Sequence, residues 1–321
     1  MNIKDIYFKF FIIICVMSFI CIGVDAGREE LPMQGNLLEQ AKLSYESGEY
    51  NQSLNAVHLL LSQDPHNVSG LNLLGVLLLD EGDFTKANVT FHEALVLTPN
   101  DHRILFNLGL VALYSGSLKD AEDYFNQSLK INPKSSETLF KQGVVRYGQQ
   151  NYVGSIESFT KAKELSPNDP AIWFNLGQSY EQNQEYNQSV SAYDQAIILE
   201  PNYSKPYYFK GRIFSYFSEF NSSAEVLSQY TILEPTDDRG WFLLSQVLEK
   251  KGDTNLSIEA IKKAIELRPE NDDYKRYYIL YSGDYNTFTI EEPTIPLSWV
   301  SAIVGSFISI LLFTQRRTFK E

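Results

Sequence analysis

The hydrophobic residues of this chain follow a pattern that repeats every 34 residues through most of its length. In each repeat, apolar side chains occupy positions 4, 7, 8 and 11, which share one face of a helix, and a second set occupies positions 17, 20, 21, 24, 27 and 28. A turn separates the two sets, and it carries glycine at Gly48, Gly82, Gly116 and Gly252. The pattern therefore predicts two amphipathic helices in each repeat.

Seven prolines set the length and the phase of the repeat. They are spaced by 34 residues without exception, at Pro65, Pro99, Pro133, Pro167, Pro201, Pro235 and Pro269. Because a proline at position 32 ends the second helix, the chain divides into seven units: 34–67, 68–101, 102–135, 136–169, 170–203, 204–237 and 238–271. One hairpin of this size cannot bury its own apolar face, so we predict that the seven hairpins stack into an all-α solenoid with a continuous core.

The fifth unit carries the pattern most fully, in the sequence PAIWFNLGQSYEQNQEYNQSVSAYDQAIILEPNY. It resembles the tetratricopeptide repeat, with matches at family positions 4, 7, 8, 11, 17, 24, 27 and 32: Trp173, Leu176, Gly177, Tyr180, Tyr186, Tyr193, Ala196 and Pro201. The resemblance covers 34–271 and implies a right-handed superhelical solenoid of helix-turn-helix repeats. Position 8 is glycine in five units, with Ala41 and Ser245 as small substitutes, as expected where two helices cross closely.

Polar residues interrupt the apolar stripe in three units. Gln40, Gln142 and Lys210 occupy position 7, where the family has leucine, and Arg146 occupies position 11. We therefore expect the first, fourth and sixth units to pack less well. In the first unit, a polar residue also suits a terminal repeat that exposes one face to water.

The N-terminal sequence predicts export. Two lysines precede an uncharged run of signal-peptide length, and Val24 and Ala26 are compact residues suited to a cleavage site. Residues 1–26 are interpreted as a signal peptide, followed by a short segment at 27–33, with an uncleaved N-terminal anchor as the alternative.

The C-terminal sequence contains a second apolar run. Residues 297–314 carry no charge and predict a transmembrane helix, preceded by a capping helix and a tether at 272–296. Basic residues at 315–321 predict a cytoplasmic tail, which places the solenoid outside the cytoplasm. The alternative is a sorting signal cut by a sortase-like transpeptidase, which would make the mature chain a structural surface protein.

Charge and cysteine content narrow the function classes. The net charge of −13 disfavours nucleic acid as a partner, because phosphate binding needs a basic surface. Both cysteines, Cys15 and Cys21, lie in the N-terminal apolar run, so the rest of the chain has no disulfide framework and no thiol chemistry. An exported domain that lacks cysteine and is rich in Asn-linked acceptor triplets favours an archaeal envelope.

Catalytic and metal-binding motifs are missing from the sequence. We find no glycine-rich phosphate loop, metal-binding cysteine cluster, HExxH motif or serine nucleophile motif. His58 and His92 share position 25 and are interpreted as surface histidines, because a metal site needs further ligands within bonding distance. We therefore expect no enzyme activity, no cofactor, no metal and no small-molecule substrate.

The resemblance implies that the first helices line a concave binding groove, at positions 2, 5, 9, 12 and 13. Position 5 is aromatic in units three to seven: Phe106, Phe140, Phe174, Tyr208 and Phe242. Two interpretations stay open for this row, namely packing within each hairpin and anchoring of an extended or helical peptide.

Basic residues add charge to the same groove. Position 2 carries Arg103, Lys205 and Arg239, and position 9 carries Lys42 and Arg212. Lys205, Tyr208, Arg212, Arg239 and Phe242 are expected to form a basic and aromatic patch for an acidic or carboxylate-bearing segment, unless the cations are isolated in solvent. The carboxylate clamp of chaperone-binding family members is not reproduced, because it requires lysine at position 5.

Eight Asn-X-Ser/Thr triplets are candidates for Asn-linked glycan: Asn51, Asn67, Asn88, Asn126, Asn187, Asn202, Asn221 and Asn255. Four of them fall at position 18 with serine at position 20, where a small side chain faces the first helix, so any glycan there is expected to precede folding. Asn67 and Asn202 lie in linkers and are expected to be the most accessible.

These observations predict an extracytoplasmic, membrane-anchored scaffold that binds a protein or peptide partner in cell-envelope assembly or surface organisation. The alternatives are a sortase-processed structural protein and the regulatory subunit of an envelope enzyme such as a glycosyltransferase.

Overall fold

The computed structural model describes residues 34–288, and this part of the chain contains 15 α-helices and no strand. The predicted all-α fold is therefore confirmed for the described residues. The helices are α1 (Gln34–Glu46), α2 (Tyr50–Gln63), α3 (Val68–Glu81), α4 (Phe84–Leu97), α5 (His102–Tyr114), α6 (Leu118–Ile131), α7 (Ser136–Gly148), α8 (Tyr152–Leu165), α9 (Pro170–Gln182), α10 (Tyr186–Leu199), α11 (Ser204–Tyr216), α12 (Phe220–Leu233), α13 (Asp238–Lys251), α14 (Thr254–Leu267) and α15 (Asp272–Ser282).

The helices pair in chain order into seven hairpins, and α15 follows the last of them. The described chain forms two compact units, one that ends at Gln188 and one that begins at Ser189, so the division falls within α10. In the first unit, Leu71, Phe91 and Leu108 belong to one buried cluster shared by neighbouring hairpins. In the second unit, Leu227 and Leu244 belong to a cluster of the same kind.

Each hairpin turns at position 15 through a residue with positive φ. The values are Gly48 75°, Gly82 85°, Gly116 86°, Gln150 61°, Gln184 64°, Ser218 62° and Gly252 94°. Side chains with a β-carbon rarely adopt this left-handed region, whereas glycine does so without steric cost. The turns of the fourth, fifth and sixth hairpins are therefore strained relative to the other four.

The two helices of a hairpin approach most closely at position 8. A β-carbon added at Gly75 would lie 2.5 Å from Cε1 of Phe91, and one added at Gly109 would lie 2.4 Å from Cε1 of Phe125. Both distances are shorter than van der Waals contact. Glycine is therefore required wherever position 24 holds a large buried ring.

Residue sizes at positions 8 and 24 are matched in the terminal hairpins as well. Where position 8 is Ala41 or Ser245, position 24 holds the smaller Val57 or Ile261, and all four residues are fully buried. The loss of space at one position is thus offset by a smaller side chain at the other.

Serine at position 20 ties the two helices of a hairpin together. Its hydroxyl donates to the backbone carbonyl at position 8, in Ser53 to Ala41 (2.7 Å), Ser155 to Gly143 (3.0 Å), Ser223 to Gly211 (2.7 Å) and Ser257 to Ser245 (2.9 Å). All these serines are fully buried. This hydrogen bond gives the buried hydroxyl a partner, and it gives the helical carbonyl oxygen at position 8 a hydrogen-bond donor in the core.

Two of the three polar residues at position 7, Gln142 and Lys210, have specific partners. Gln142, only 5% exposed, donates from Nε2 to Oδ1 of Asn126 (2.7 Å) and accepts from Oγ of Ser158 (2.8 Å). Lys210 Nζ lies 2.5 Å from Oδ1 of Asp194. In both pairs the partner stands at position 25 of the preceding repeat, 16 residues earlier. In the fourth and sixth units, these polar contacts therefore compensate for the weak packing expected from a polar residue at position 7.

Arg146 at position 11 is held in the same way. Its Nε donates to Oε1 of Glu122 at 2.8 Å, and one terminal nitrogen donates to Oγ of Ser158 (3.0 Å) and to the carbonyl of Gly154 (3.2 Å). The guanidinium therefore connects α6, α7 and α8 within the first compact unit.

The last helix, α15, packs on α14. Tyr274 and Tyr278 join Ile261 and Ile265 in one buried cluster. The Tyr274 hydroxyl donates to Oδ2 of Asp238 (2.5 Å), whose Oδ1 lies 3.1 Å from a guanidinium nitrogen of Arg268. Burial, together with this bond to a carboxylate, raises the pKa of Tyr274. Asp238 is only 6% exposed, and the positive charge of Arg268 balances its negative charge inside the last hairpin.

The transmembrane helix in the predicted fold class is wrong in light of the structure. Across residues 34–288, no helix is both long enough and apolar enough to cross a bilayer. The segment 297–314 itself lies outside the described residues, as do 1–26, 27–33, the tether after Phe288 and the tail at 315–321.

Candidate functional site

The candidate binding residues lie on the first helix of each hairpin. We call the side chains at positions 2, 5 and 9 of these helices the first-helix surface. In the first compact unit, Phe106 lies on α5, Phe140 on α7 and Phe174 on α9. Phe106 and Phe140 are half-buried, whereas Phe174 is only 5% exposed and belongs to the core.

Packing explains the depth of the two half-buried rings. The centroid of Phe106 lies 5.7 Å from that of Phe125, and the centroid of Phe140 lies 5.5 Å from that of Phe159. Phe125 and Phe159 are the fully buried rings at position 24, seated against the glycine at position 8. Phe106 and Phe140 therefore each pack on a ring of their own hairpin, while anchoring of a peptide by these rings stays a prediction.

The second compact unit carries the other two position-5 rings. The Tyr208 ring lies 5.1 Å from the ring of Tyr230. The Phe242 ring packs onto α15, at 4.6 Å from Tyr274 and 5.0 Å from Tyr277. The last ring of the row is thus tied to the C-terminal helix.

A chain of contacts connects Tyr208 to Arg239. The hydroxyl of Tyr230 donates to Oδ2 of Asp237, and burial together with this bond raises the pKa of Tyr230. Nε of Arg239 donates to Oδ1 of Asp237 at 3.0 Å. Burial of Asp237 acts to raise its pKa, but the hydrogen bonds from Tyr230 and Arg239 outweigh burial and lower it. A β-carbon at Gly240 would lie 2.3 Å from the Tyr230 ring, so this arrangement requires glycine there.

The structure brings some of the predicted cations together with acids. Arg239 pairs with Asp237, and Arg103 pairs with Asp101 at 2.8 Å; both acids also cap the N-terminus of the helix that carries the arginine. Each of these cations is therefore balanced by an anion two residues before it.

The other two predicted cations of the patch, Arg212 and Lys205, both lie on α11. Arg212 places its guanidinium 4.9 Å from the ring centroid of Phe209 on the same helix, in a cation–π contact. Lys205 is exposed at the start of α11. Of the predicted basic and aromatic patch, Lys205, Tyr208 and Arg212 thus lie on α11, whereas Arg239 is paired with Asp237 and Phe242 packs on α15.

The first compact unit also contains a crevice that was not predicted from the sequence. It has a volume of about 1030 Å³ and lies among α6, α7 and α8, with Gln142, Arg146 and Asn126 among its lining residues. Lys130 and Lys161 line it together with Asp123 and Glu157, so its walls carry both signs of charge. The feature of the sequence that could have indicated this crevice is a polar pair, Gln142 at position 7 and Asn126 at position 25 of the preceding repeat.

Within the residues that the structure describes, no group of His, Cys, Asp and Glu side chains could hold a metal ion. His92 instead lies 3.3 Å from the hydroxyl of Tyr124. His58 is exposed on α2.

The eight glycan acceptor triplets lie in second helices or in turns. Asn51, Asn187, Asn202, Asn221 and Asn255 are exposed, and Asn67, Asn88 and Asn126 are half-buried. Asn67 is the N-cap of α3, since its Oδ1 accepts from the backbone nitrogen of Gly70 at 3.0 Å.

Protein-family models of the tetratricopeptide repeat match most of the described chain. Matches to models described as tetratricopeptide repeat cover 38–88, 102–135, 170–203 and 238–271, and a model described as TPR repeat covers 145–184. A comparison with curated proteins finds no match.

Solved structures share the fold at low sequence identity. The C-terminal part of a TPR repeat-containing protein from Cytophaga hutchinsonii is 15% identical with a TM-score of 0.62, covering 74% of this chain and 98% of that chain. A tetratricopeptide repeat protein from Parabacteroides merdae is 16% identical with a TM-score of 0.55, covering 78% and 98%. The pilF protein of Pseudomonas aeruginosa is 17% identical with a TM-score of 0.57, covering 65% and 96%.

Proposed function

We propose a function from the premise that this chain belongs to the tetratricopeptide repeat family. It acts as a non-catalytic scaffold that binds a protein or peptide segment on its first-helix surface, outside the cytoplasm and in the cell envelope.

The observation that carries the proposal is the half-burial of the position-5 rings. Phe106 and Phe140 are each fixed on one side by a buried ring, so they lose little side-chain entropy when a partner covers the other side. Rigid aromatic side chains of this kind contribute much of the binding free energy in protein interfaces. Two such rings on neighbouring first helices suit a segment that crosses successive hairpins.

Charge in the second compact unit favours an acidic partner segment. The guanidinium of Arg212 lies 4.9 Å from the ring centroid of Phe209, which restricts its orientation. A planar guanidinium can donate two parallel hydrogen bonds to one carboxylate. The same helix carries the exposed Lys205 and the half-buried Tyr208, in a protein whose net charge is −13.

The proposed location depends on the sequence. The signal-peptide pattern at 1–26 and the eight Asn-X-Ser/Thr triplets support action in the cell envelope. Scaffolding in envelope assembly or surface organisation fits both features.

Site-specific photo-crosslinking in intact cells tests the binding surface. A photoreactive phenylalanine analogue replaces Phe106 or Phe140, and in matched controls it replaces Ile198 or Ile232, which lie on second helices and are 67% and 68% exposed. Mass spectrometry then identifies what is attached. We expect one protein to be captured from both first-helix positions and not from the second-helix controls; equal capture from all four positions would contradict the proposal.

A further inference from the structure

The glycan acceptor triplets avoid one part of every hairpin. Six of the eight begin in second helices, at Asn51, Asn88, Asn126, Asn187, Asn221 and Asn255, and two begin in the turns before first helices, at Asn67 and Asn202. None begins in a first helix of the described chain. The burial and the hydrogen bonds of each triplet decide when a glycan can be attached.

Attachment needs two side chains of the triplet. The Nδ2 atom of asparagine attacks C1 of a sugar carried on a lipid diphosphate, a new N–C bond forms, Nδ2 loses a proton, and the diphosphate leaves with the electrons of the C1–O bond. The asparagine amide must therefore reach the sugar. The requirement for Ser or Thr two residues later indicates that the transferase also contacts that hydroxyl.

At position 20, the hydroxyl is inaccessible in the folded chain. Ser53, Ser223 and Ser257 are fully buried, and each donates its hydroxyl to the carbonyl at position 8 of the facing helix. Ser189, the fourth member of this set, is also fully buried. The asparagines at position 18 are exposed, but the second half of their recognition signal lies inside the hairpin.

Three further triplets are blocked at the same residue. Ser128 is fully buried and donates to the carbonyl of His102 at 2.7 Å. Thr90 is buried on α4. Ser204 is buried at the start of α11 and donates to Oε1 of Glu234 at 2.6 Å, so the exposed Asn202 also lacks an available hydroxyl.

The remaining triplet is blocked at its asparagine. Ser69 is exposed, but Nδ2 of Asn67, the atom that would attack, donates to Oδ2 of Asp64 at 3.2 Å. Its Oδ1 caps α3 through the backbone nitrogen of Gly70. The linker position that the sequence indicated as accessible is therefore engaged on both amide atoms.

We propose that all eight asparagines are glycan acceptors only before the chain folds, and that the folded chain is not a substrate for the transferase. The glycans then project from second helices and turns, and the first-helix surface stays free of sugar for its partner. This inference depends on the proposed function for the location at which chain and transferase meet, and its chemistry is tested separately from partner binding.

The test uses the full chain produced without glycan. One sample is kept native, and a second is cut with trypsin so that the same triplets lie in unfolded peptides. Both receive a purified oligosaccharyltransferase and an oligosaccharide linked to lipid diphosphate, and mass spectrometry follows occupancy at each asparagine. Because only opened molecules can react, we expect modification of the native chain to be at least about a hundredfold slower than that of the peptides at all eight positions.

A control variant, Phe288→Thr, adds a ninth triplet in the segment after α15. It begins at the exposed Asn286, and its hydroxyl stands at position 288, where the substitution removes the half-buried ring that packs on Tyr278. We expect rapid modification of Asn286 in the native variant. Three results would overturn the proposal: native modification at peptide rates at any natural triplet, no modification of the peptides, or no modification of native Asn286, which would mean that local contacts are not what blocks the reaction. Loss of partner capture in the crosslinking experiment would leave these results unaffected.

Discussion

The match between positions 8 and 24 makes a quantitative prediction for the variant Gly109→Ala. The added β-carbon would lie 2.4, 2.6 and 3.0 Å from three ring atoms of Phe125. Phe125 is fully buried, and its other side carries the ring of Phe106 at 5.7 Å, so it has little room to move. The variant must therefore separate α5 and α6 or displace two rings.

The expected cost follows from two opposing effects. Overpacking a buried site by one methyl group costs about 1 to 3 kcal/mol. Replacing glycine by alanine in a helix gains about 1 kcal/mol. The difference predicts a net destabilisation of up to about 2 kcal/mol, with a central value of about 1 kcal/mol, for Gly109→Ala in the natural chain.

A second substitution separates the two effects. Phe125→Val reproduces the pair at Ala41 and Val57, which the first hairpin tolerates with both residues fully buried. In that background the overpacking is removed, and Gly109→Ala should stabilise the chain by up to about 1 kcal/mol. The coupling between the two sites is then about 2 kcal/mol, well above the value for independent sites.

Urea unfolding followed by circular dichroism measures all four chains of this cycle: the natural chain, each single variant and the double variant. We expect the effect of Gly109→Ala on stability to reverse its sign between the two backgrounds. If Gly109→Ala has the same effect with Phe125 and with the valine variant, the close approach of α5 and α6 is not the reason for glycine at position 8.

Three further predictions use the same assay. Ser218→Gly should stabilise the chain by about 0.5 to 1 kcal/mol, because glycine removes the strain of positive φ; an unchanged urea midpoint would contradict this. Asn126→Ala should cost about 1 to 2 kcal/mol by leaving the buried Gln142 amide without its acceptor, whereas changing both residues to leucine should cost less. The hydrogen bond from Arg103 lowers the pKa of Asp101, so the stability it contributes is present above about pH 4 and lost as pH falls through the lowered pKa; Asp101→Asn should therefore show a weaker loss of stability in acid than the natural chain.

The helical hairpins were predictable because their causes are local. Apolar spacing within a helix, glycine in the turn and proline at position 32 act over a few residues each, and the regular repeat lets seven copies report the same pattern. The partners of Gln142 and Lys210 were not predicted, because they depend on which positions of successive repeats face each other. In the structure, position 7 of one repeat faces position 25 of the repeat before it, so the two partners of each pair are 16 residues apart.

For the aromatic row at position 5, the helix that carries each ring was predictable from the sequence, but the burial of each ring was not. Sequence spacing correctly assigned position 5 to first helices, but it treated Phe140 and Phe174 alike, although one is half-buried and the other belongs to the core. Depth depends on how closely neighbouring helices pack, which spacing does not report. The pairing of Arg239 with Asp237 could have been found, since an acid at the helix N-cap two residues before an arginine also occurs at Asp101 and Arg103.

The hydrogen bonds from serine at position 20 to the carbonyl at position 8, which we call the serine ties, have a consequence for how such a chain can change over evolution. Each tie joins residues only 12 apart in sequence, so its whole geometry is encoded inside one hairpin. Duplication or deletion of a complete 34-residue unit carries both partners along and leaves every other tie intact. The number of hairpins, and with it the number of first helices, is therefore a trait that selection can adjust in whole steps without redesigning the core.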